Sequence, residues 1–160
     1  MKKNNPPDGV PVWFDGKNIN EALFCDEFLQ THKILFTNGA FFTPEGRVTD
    51  ELPLRGEIFE ELKCCAVSNI PRKISNIVEL MKLAALVEDF PPKADRIHLS
   101  NGTLFLDGKF VEGKSEIVRN RFPVAYNPNA PKPVLWLQFL DGLLYPEDIP
   151  TLQEYIGYCL

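Results

Sequence analysis

Three turn dipeptides constrain this chain more than any other feature. Asn38-Gly39, Asn101-Gly102 and Asp107-Gly108 each punctuate short apolar runs. An Asn-Gly pair supplies the positive φ angles that a two-residue hairpin requires. Lys33 to Thr37 and Ala40 to Thr43 are therefore expected to pair across the first turn, and Pro44-Glu45-Gly46 marks a second turn before Arg47-Val48. Arg96 to Leu99, Thr103 to Leu106 and Lys109 to Val111 form a second short meander around the other two turns. Ile117 to Ala125 could add a further strand, ended by Asn127-Pro128.

Elsewhere the apolar period is helical. Asn18 and Glu21 have the spacing of a capping box, and the helix that follows carries Ala22, Cys25, Phe28 and Leu29 on one face. Residues 57–67 form a second helix. Residues 71–87 form a third, with Ile74, Ile77, Val78, Met81 and Ala85 at helical spacing. From Pro133 two more are expected. One buries Trp136, Leu137, Leu140 and Leu144, the other Ile149, Leu152, Ile156 and Cys159. Helices and small sheets that do not alternate predict an α+β fold, with small antiparallel hairpins packed against about five helices and a helical pair at the end. The expected organisation is a loose, proline-rich arm over residues 1–12 and one domain over 13–160, with a possible subdivision near 91–96.

Twelve Phe and a 44% apolar fraction provide for a real core. The net charge of -5 opposes a domain that lives by gripping phosphate backbone, so nucleic-acid contact needs a local patch. Arg72, Lys73 and Lys82 are the candidate contacts, Arg119 and Arg121 the second choice, and ordinary solvated charge is the favoured reading. Single-stranded DNA binding is expected to be weak and salt-sensitive. No window of about eighteen apolar residues is present, so no membrane span is expected. The N-terminal basic residues lack the apolar run of a signal peptide. The expected location is cytoplasmic.

Cys25, Cys64, Cys65 and Cys159 form no Cys-x-x-Cys pair, and only His32 and His98 could assist them. Free thiols rather than a zinc site are expected, with the adjacent Cys64 and Cys65 on different faces of a helix.

Residues 108–115 match the phosphate-loop pattern letter for letter, with Gly108, Gly113, Lys114 and Ser115 at the defining positions. The chemistry requires a preceding strand and a following helix whose N-terminal amides hold the phosphates. Ile117-Val118 is β-branched and Pro123 follows closely, so the expected structure is a turn, a strand and a second turn. Paired catalytic carboxylates are also missing. There is no Asp-x-Asp, and Asp26-Glu27, Glu88-Asp89 and Glu147-Asp148 are adjacent pairs expected in solvent. His98, in an apolar run, is expected to be a hydrogen-bonded structural histidine.

Three phrases together carry a family likeness: Asp95 to Leu104, Asn120 to Pro128 and Leu152 to Tyr158. Their order resembles the block preceding the ATPase of phage, plasmid and prophage primase–helicases, a family that includes the poxvirus primase–helicase. The resemblance implies a non-catalytic accessory domain that assists ring assembly or DNA positioning. Its implied partners are a superfamily-3 helicase domain following Leu160 and neighbouring subunits, in a bacterial host. ATP and Mg²⁺ would belong to that ATPase, with no cofactor in these residues. Trp136 and Tyr155 are read as core residues. Trp136, Ile149, Leu152 and Ile156 are the side chains that would otherwise face a partner. The competing readings are a small nucleotide-binding protein using residues 108–115 and a stand-alone interaction module.

Overall fold

A computed structural model describes residues 11–65 and 68–158. Residues 1–10 of the expected arm over 1–12, and Cys159 of the last helix, lie outside the described residues. Among the described residues the chain forms five helices and two antiparallel three-stranded sheets, an α+β fold.

Helix α1 spans Glu21–Thr31. Its cap is Asn20, whose side chain accepts from the Leu23 amide at 3.2 Å. This corrects the capping box expected from Asn18. The Asn18 amide instead donates to Asp15 Oδ1 in the preceding turn, at 2.5 Å. Phe24, Cys25 and Phe28 are buried, whereas Ala22 is exposed.

Strands β1 (Leu35–Thr37), β2 (Ala40–Thr43) and β3 (Gly46–Arg47) form the first sheet in that order. Asn38 and Gly39 take φ of 49° and 74°, both positive as a type I′ turn demands. The outer edge of β1 is covered by the chain after helix α3. The Phe36 amide donates to Ala85 O at 2.7 Å, and the Val87 amide donates to Phe36 O at 2.9 Å.

Helix α2 spans Leu52–Leu62 and so begins five residues before the expected Glu57. Asp50 Oδ1 accepts from the Leu52 amide at 2.9 Å, and Pro53 sits in the first turn, where no intrahelical donor is lost. Leu54, Ile58 and Leu62 recur every four residues on the buried face. Helix α3, Ile70–Ala84, packs against α1, α2 and β1. It buries Ile74, Ile77, Val78 and Met81, each side chain contributing about 1.5–3 kcal/mol of burial. With Trp13, Phe24, Phe28, Phe41 and the α2 stripe they form the core.

The second sheet contains β4 (Arg96–Leu99), β5 (Gly102–Phe105) and β6 (Phe110–Glu112). Residues 117–125 are not a strand. They cross from one sheet to the other, joined by single hydrogen bonds and by one isolated bridge between Leu99 and Phe122. Helices α4 (Val134–Leu143) and α5 (Asp148–Tyr158) follow.

Gly102 is required by close approach rather than by its φ. A Cβ there would lie 2.4 Å from Val111 O and 2.5 Å from the Phe110 ring. Gly102→Ala is expected to lower the unfolding free energy by about 1–3 kcal/mol through overpacking. Gly142→Ala, where a Cβ meets nothing within 4 Å, should raise it by about 0.5–1 kcal/mol as a helical glycine is replaced. Urea titrations of the two variants check both signs.

Candidate interaction surface

Helices α4 and α5 are placed by the segment that precedes them. The Val118 amide donates to Thr43 O at 3.2 Å and the Phe122 amide to His98 O at 2.8 Å, so this segment touches both sheets. Arg121 completes the joint. Its Nε donates to Pro44 O at 2.7 Å, and its Nη1 to Leu99 O at 2.5 Å and Gly102 O at 3.2 Å. Asn101 then holds Tyr126 in both directions. Its Nδ2 donates to Tyr126 O at 3.0 Å, and its Oδ1 accepts from the Tyr126 amide at 2.8 Å. Beyond this clamp Asn127 closes a turn on Asn129, and Pro131 and Pro133 lead into α4. Each proline fixes φ and removes a backbone donor.

The helical pair differs from what the sequence predicted. Only Leu140 of α4 is fully buried, with Leu137 and Leu144 half-buried. Trp136 is 42% exposed and Tyr155 66%, which corrects their reading as core residues. Ile149 and Leu152 are half-buried, and Ile156 is exposed. The helical period of these segments agrees with the structure, but periodicity does not say what covers the apolar stripe.

Eight of the seventeen large apolar side chains exposed among the described residues lie between Val134 and Ile156. Leu135, Phe139, Leu143 and Tyr145 are each more than half exposed, and Trp136 stacks on Phe139 with centroids 5.7 Å apart. Neither helix packs broadly against any other helix or strand. Residues 133–158 contain Asp141, Glu147, Asp148 and Glu154 but no Lys or Arg. The two helices thus expose large apolar side chains together with acidic but no basic ones.

The cationic side chains singled out as phosphate contacts do not converge. Lys73 pairs with Glu21 of α1 at 3.6 Å, while Lys82 pairs with Glu51 at 3.4 Å and Glu79 at 2.9 Å. At about 100° per residue, the nine positions between Lys73 and Lys82 set the two on opposite sides of α3. Arg72 is exposed on that helix. Arg119 donates to Phe90 O and lies over the Phe90 ring, and Arg121 serves the joint just described.

Residues 108–115 contain Gly108 and Gly113 in positive-φ turns around β6. No helix opens directly after Ser115, and Lys114 Nζ pairs with Glu45 at 2.7 Å. A phosphate loop needs that helix for its amides. His98 Nδ1 lies 3.1 Å from the Thr103 hydroxyl. Burial lowers the His98 pKa despite the opposing Glu116 carboxylate. Burial also pushes the Glu116 carboxyl up, but hydrogen bonds from Lys93 and Arg96 outweigh it and hold it below the usual range. Among the described residues, no three His, Cys, Asp or Glu side chains gather at metal-binding distance.

Arg121→Ala is expected to lower the unfolding free energy by about 1.5–3 kcal/mol, the usual worth of hydrogen bonds from a charged donor. Arg72→Ala should stay within about 0.5 kcal/mol of the parent, as exposed substitutions do. Urea midpoints of the two variants separate the structural arginine from the solvated one.

No family model matches the chain, and no curated protein matches it.

Proposed function

We propose that this chain is a non-catalytic interaction module of a phage-type DNA-replication primase–helicase, presenting α4 and α5 to a partner. The observation that carries the reading is the run of exposed apolar side chains on two helices that their own domain leaves uncovered. A helix that is apolar around most of its circumference belongs in an interior, and α4 has that composition without that burial. The resemblance supplies the partner: a superfamily-3 ATPase domain or a neighbouring subunit, acting in the cytoplasm of a bacterial host. ATP and Mg²⁺ belong to that partner. Any contribution to DNA positioning is weak and salt-sensitive, because the candidate cations are spread out and largely engaged.

The test is sedimentation velocity of the chain alone and mixed with a superfamily-3 ATPase domain of a phage primase–helicase. Leu135→Glu and Phe139→Glu place a charge on the exposed face. Association is expected to fall at least tenfold, with unfolding free energy kept within about 0.5 kcal/mol, since the positions are exposed. Unchanged association in both folded variants overturns the proposal.

The chain alone is expected to release no phosphate from ATP. Turnover by purified protein that disappears in Lys114→Ala would favour the nucleotide-binding alternative instead.

A further inference from the structure

Helix α2 ends at Leu62, and its next turn is tightened by the Cys65 amide donating to Leu62 O at 3.0 Å. Cys64 and Cys65 lie in this turn, past the helix. Side chains of consecutive residues inside a helix diverge by about 100° and do not face each other. Here the turn brings the two sulfurs to 3.6 Å. This corrects the expectation that they point to different faces of a helix. Cys64 is exposed and donates from Sγ to Glu61 O at 3.0 Å, while Cys65 is 4% exposed at the border of the core.

That separation disfavours one kind of bridge and suits another. A direct disulfide needs sulfurs about 2.05 Å apart and Cα atoms at least about 4.4 Å apart. Adjacent Cα atoms across a trans peptide are only about 3.8 Å apart. A bond between Cys64 and Cys65 would therefore be strained. A single soft atom about 2.3 Å from each sulfur, the usual zinc–thiolate distance, spans 3.6 Å at an angle of about 103°, close to tetrahedral. A structural zinc ion needs four ligands, and the described residues offer no third one here. The site suits an electrophilic centre that takes two sulfurs and carries its own third substituent.

We propose that Cys64 and Cys65 form a dithiol site for monosubstituted trivalent arsenicals. In the reaction R–As=O + 2 Cys–SH → R–As(S–Cys)₂ + H₂O, two As–S bonds form and the As=O bond breaks. Both thiol protons leave on the oxygen as water. Arsenic stays trivalent, and no oxidant or reductant takes part. The exposed Cys64 adds first and holds the arsenic beside Cys65. Closure by Cys65 is then intramolecular, which offsets the reluctance of a thiol that burial and its Cys64 neighbour push up to about 11. Cys25, buried beneath α1, has no adjacent cysteine and provides the single-thiol comparison within the same chain.

The probe is phenylarsine oxide added to the reduced, folded chain and read by intact-protein mass spectrometry. One equivalent is expected to survive excess 2-mercaptoethanol and to be stripped by 2,3-dimercaptopropanol. Cys64→Ser changes an exposed position, and its fold is checked by circular dichroism. It should lose the monothiol-resistant adduct completely, as should Cys65→Ser, while Cys25→Ser keeps it. If the parent chain holds no monothiol-resistant adduct, or if Cys64→Ser holds it as firmly as the parent, the dithiol site is refuted.

Discussion

The guanidinium of Arg121 is the fastening on which the arrangement of the two sheets depends. No strand of one sheet pairs with a strand of the other. The link is made instead by an irregular segment whose amides reach Thr43 O and His98 O, and by one cation donating to carbonyls on both sides. The Arg121 Nη2 atom is buried and has no partner among the described residues. Its desolvation costs free energy, which the three charge-assisted bonds offset. Gly46 completes the fit from the opposite side. It is buried at a φ of 114°, with the backbone of residues 119–121 against the position a Cβ would take. A side chain there would meet ordinary contact distances but not an ordinary backbone conformation.

Around this fastening the molecule divides into a saturated part and an unsaturated one. The helices α1 to α3 and the first sheet bury most of their large apolar groups in one cluster, with Leu23, Leu52, Phe59 and Leu83 left exposed. Among the described residues of the helical pair at the other end of the joint, only Leu140 is kept fully out of water. The side chains that form the core and those exposed on α4 and α5 are thus separate sets.

Much of this architecture was legible in the sequence, because strong local signals agreed with the global packing. Asn38-Gly39 could be read as a tight hairpin from the φ angles it permits, and Ile74, Ile77, Val78 and Met81 gave a helix face with no competing pattern. The failures were those of nonlocal information. Ile117 to Ala125 has strand-like composition, but a strand needs a free edge in register, and the segment spans two sheets instead. The start of α2 was missed because its signal was Asp50 followed by Pro53, not an apolar period. Trp136 and Tyr155 were misplaced because periodicity reveals which residues share a face and is silent on what covers it. The role of Arg121 had no local signature either, since its acceptors lie as far back as Pro44.

That distance also orders events in time. Arg121 meets a carbonyl 77 positions earlier, and Lys33 donates to Ser115 O across 82 positions. The entropy of closing a loop grows with its length and must be met before the contacts reward it. The contacts among α1, α2 and α3 close shorter loops than these. The bonds of the same segment to the second sheet are local by comparison: Arg121 to Leu99 O and Gly102 O and Asn101 to Tyr126 span only 22, 19 and 25 positions. The crossing segment and its sheet are thus a local unit, as the helical block is, and the closures that join the two units are the longest. The tether of α4 and α5 is fastened by the shorter kind of closure.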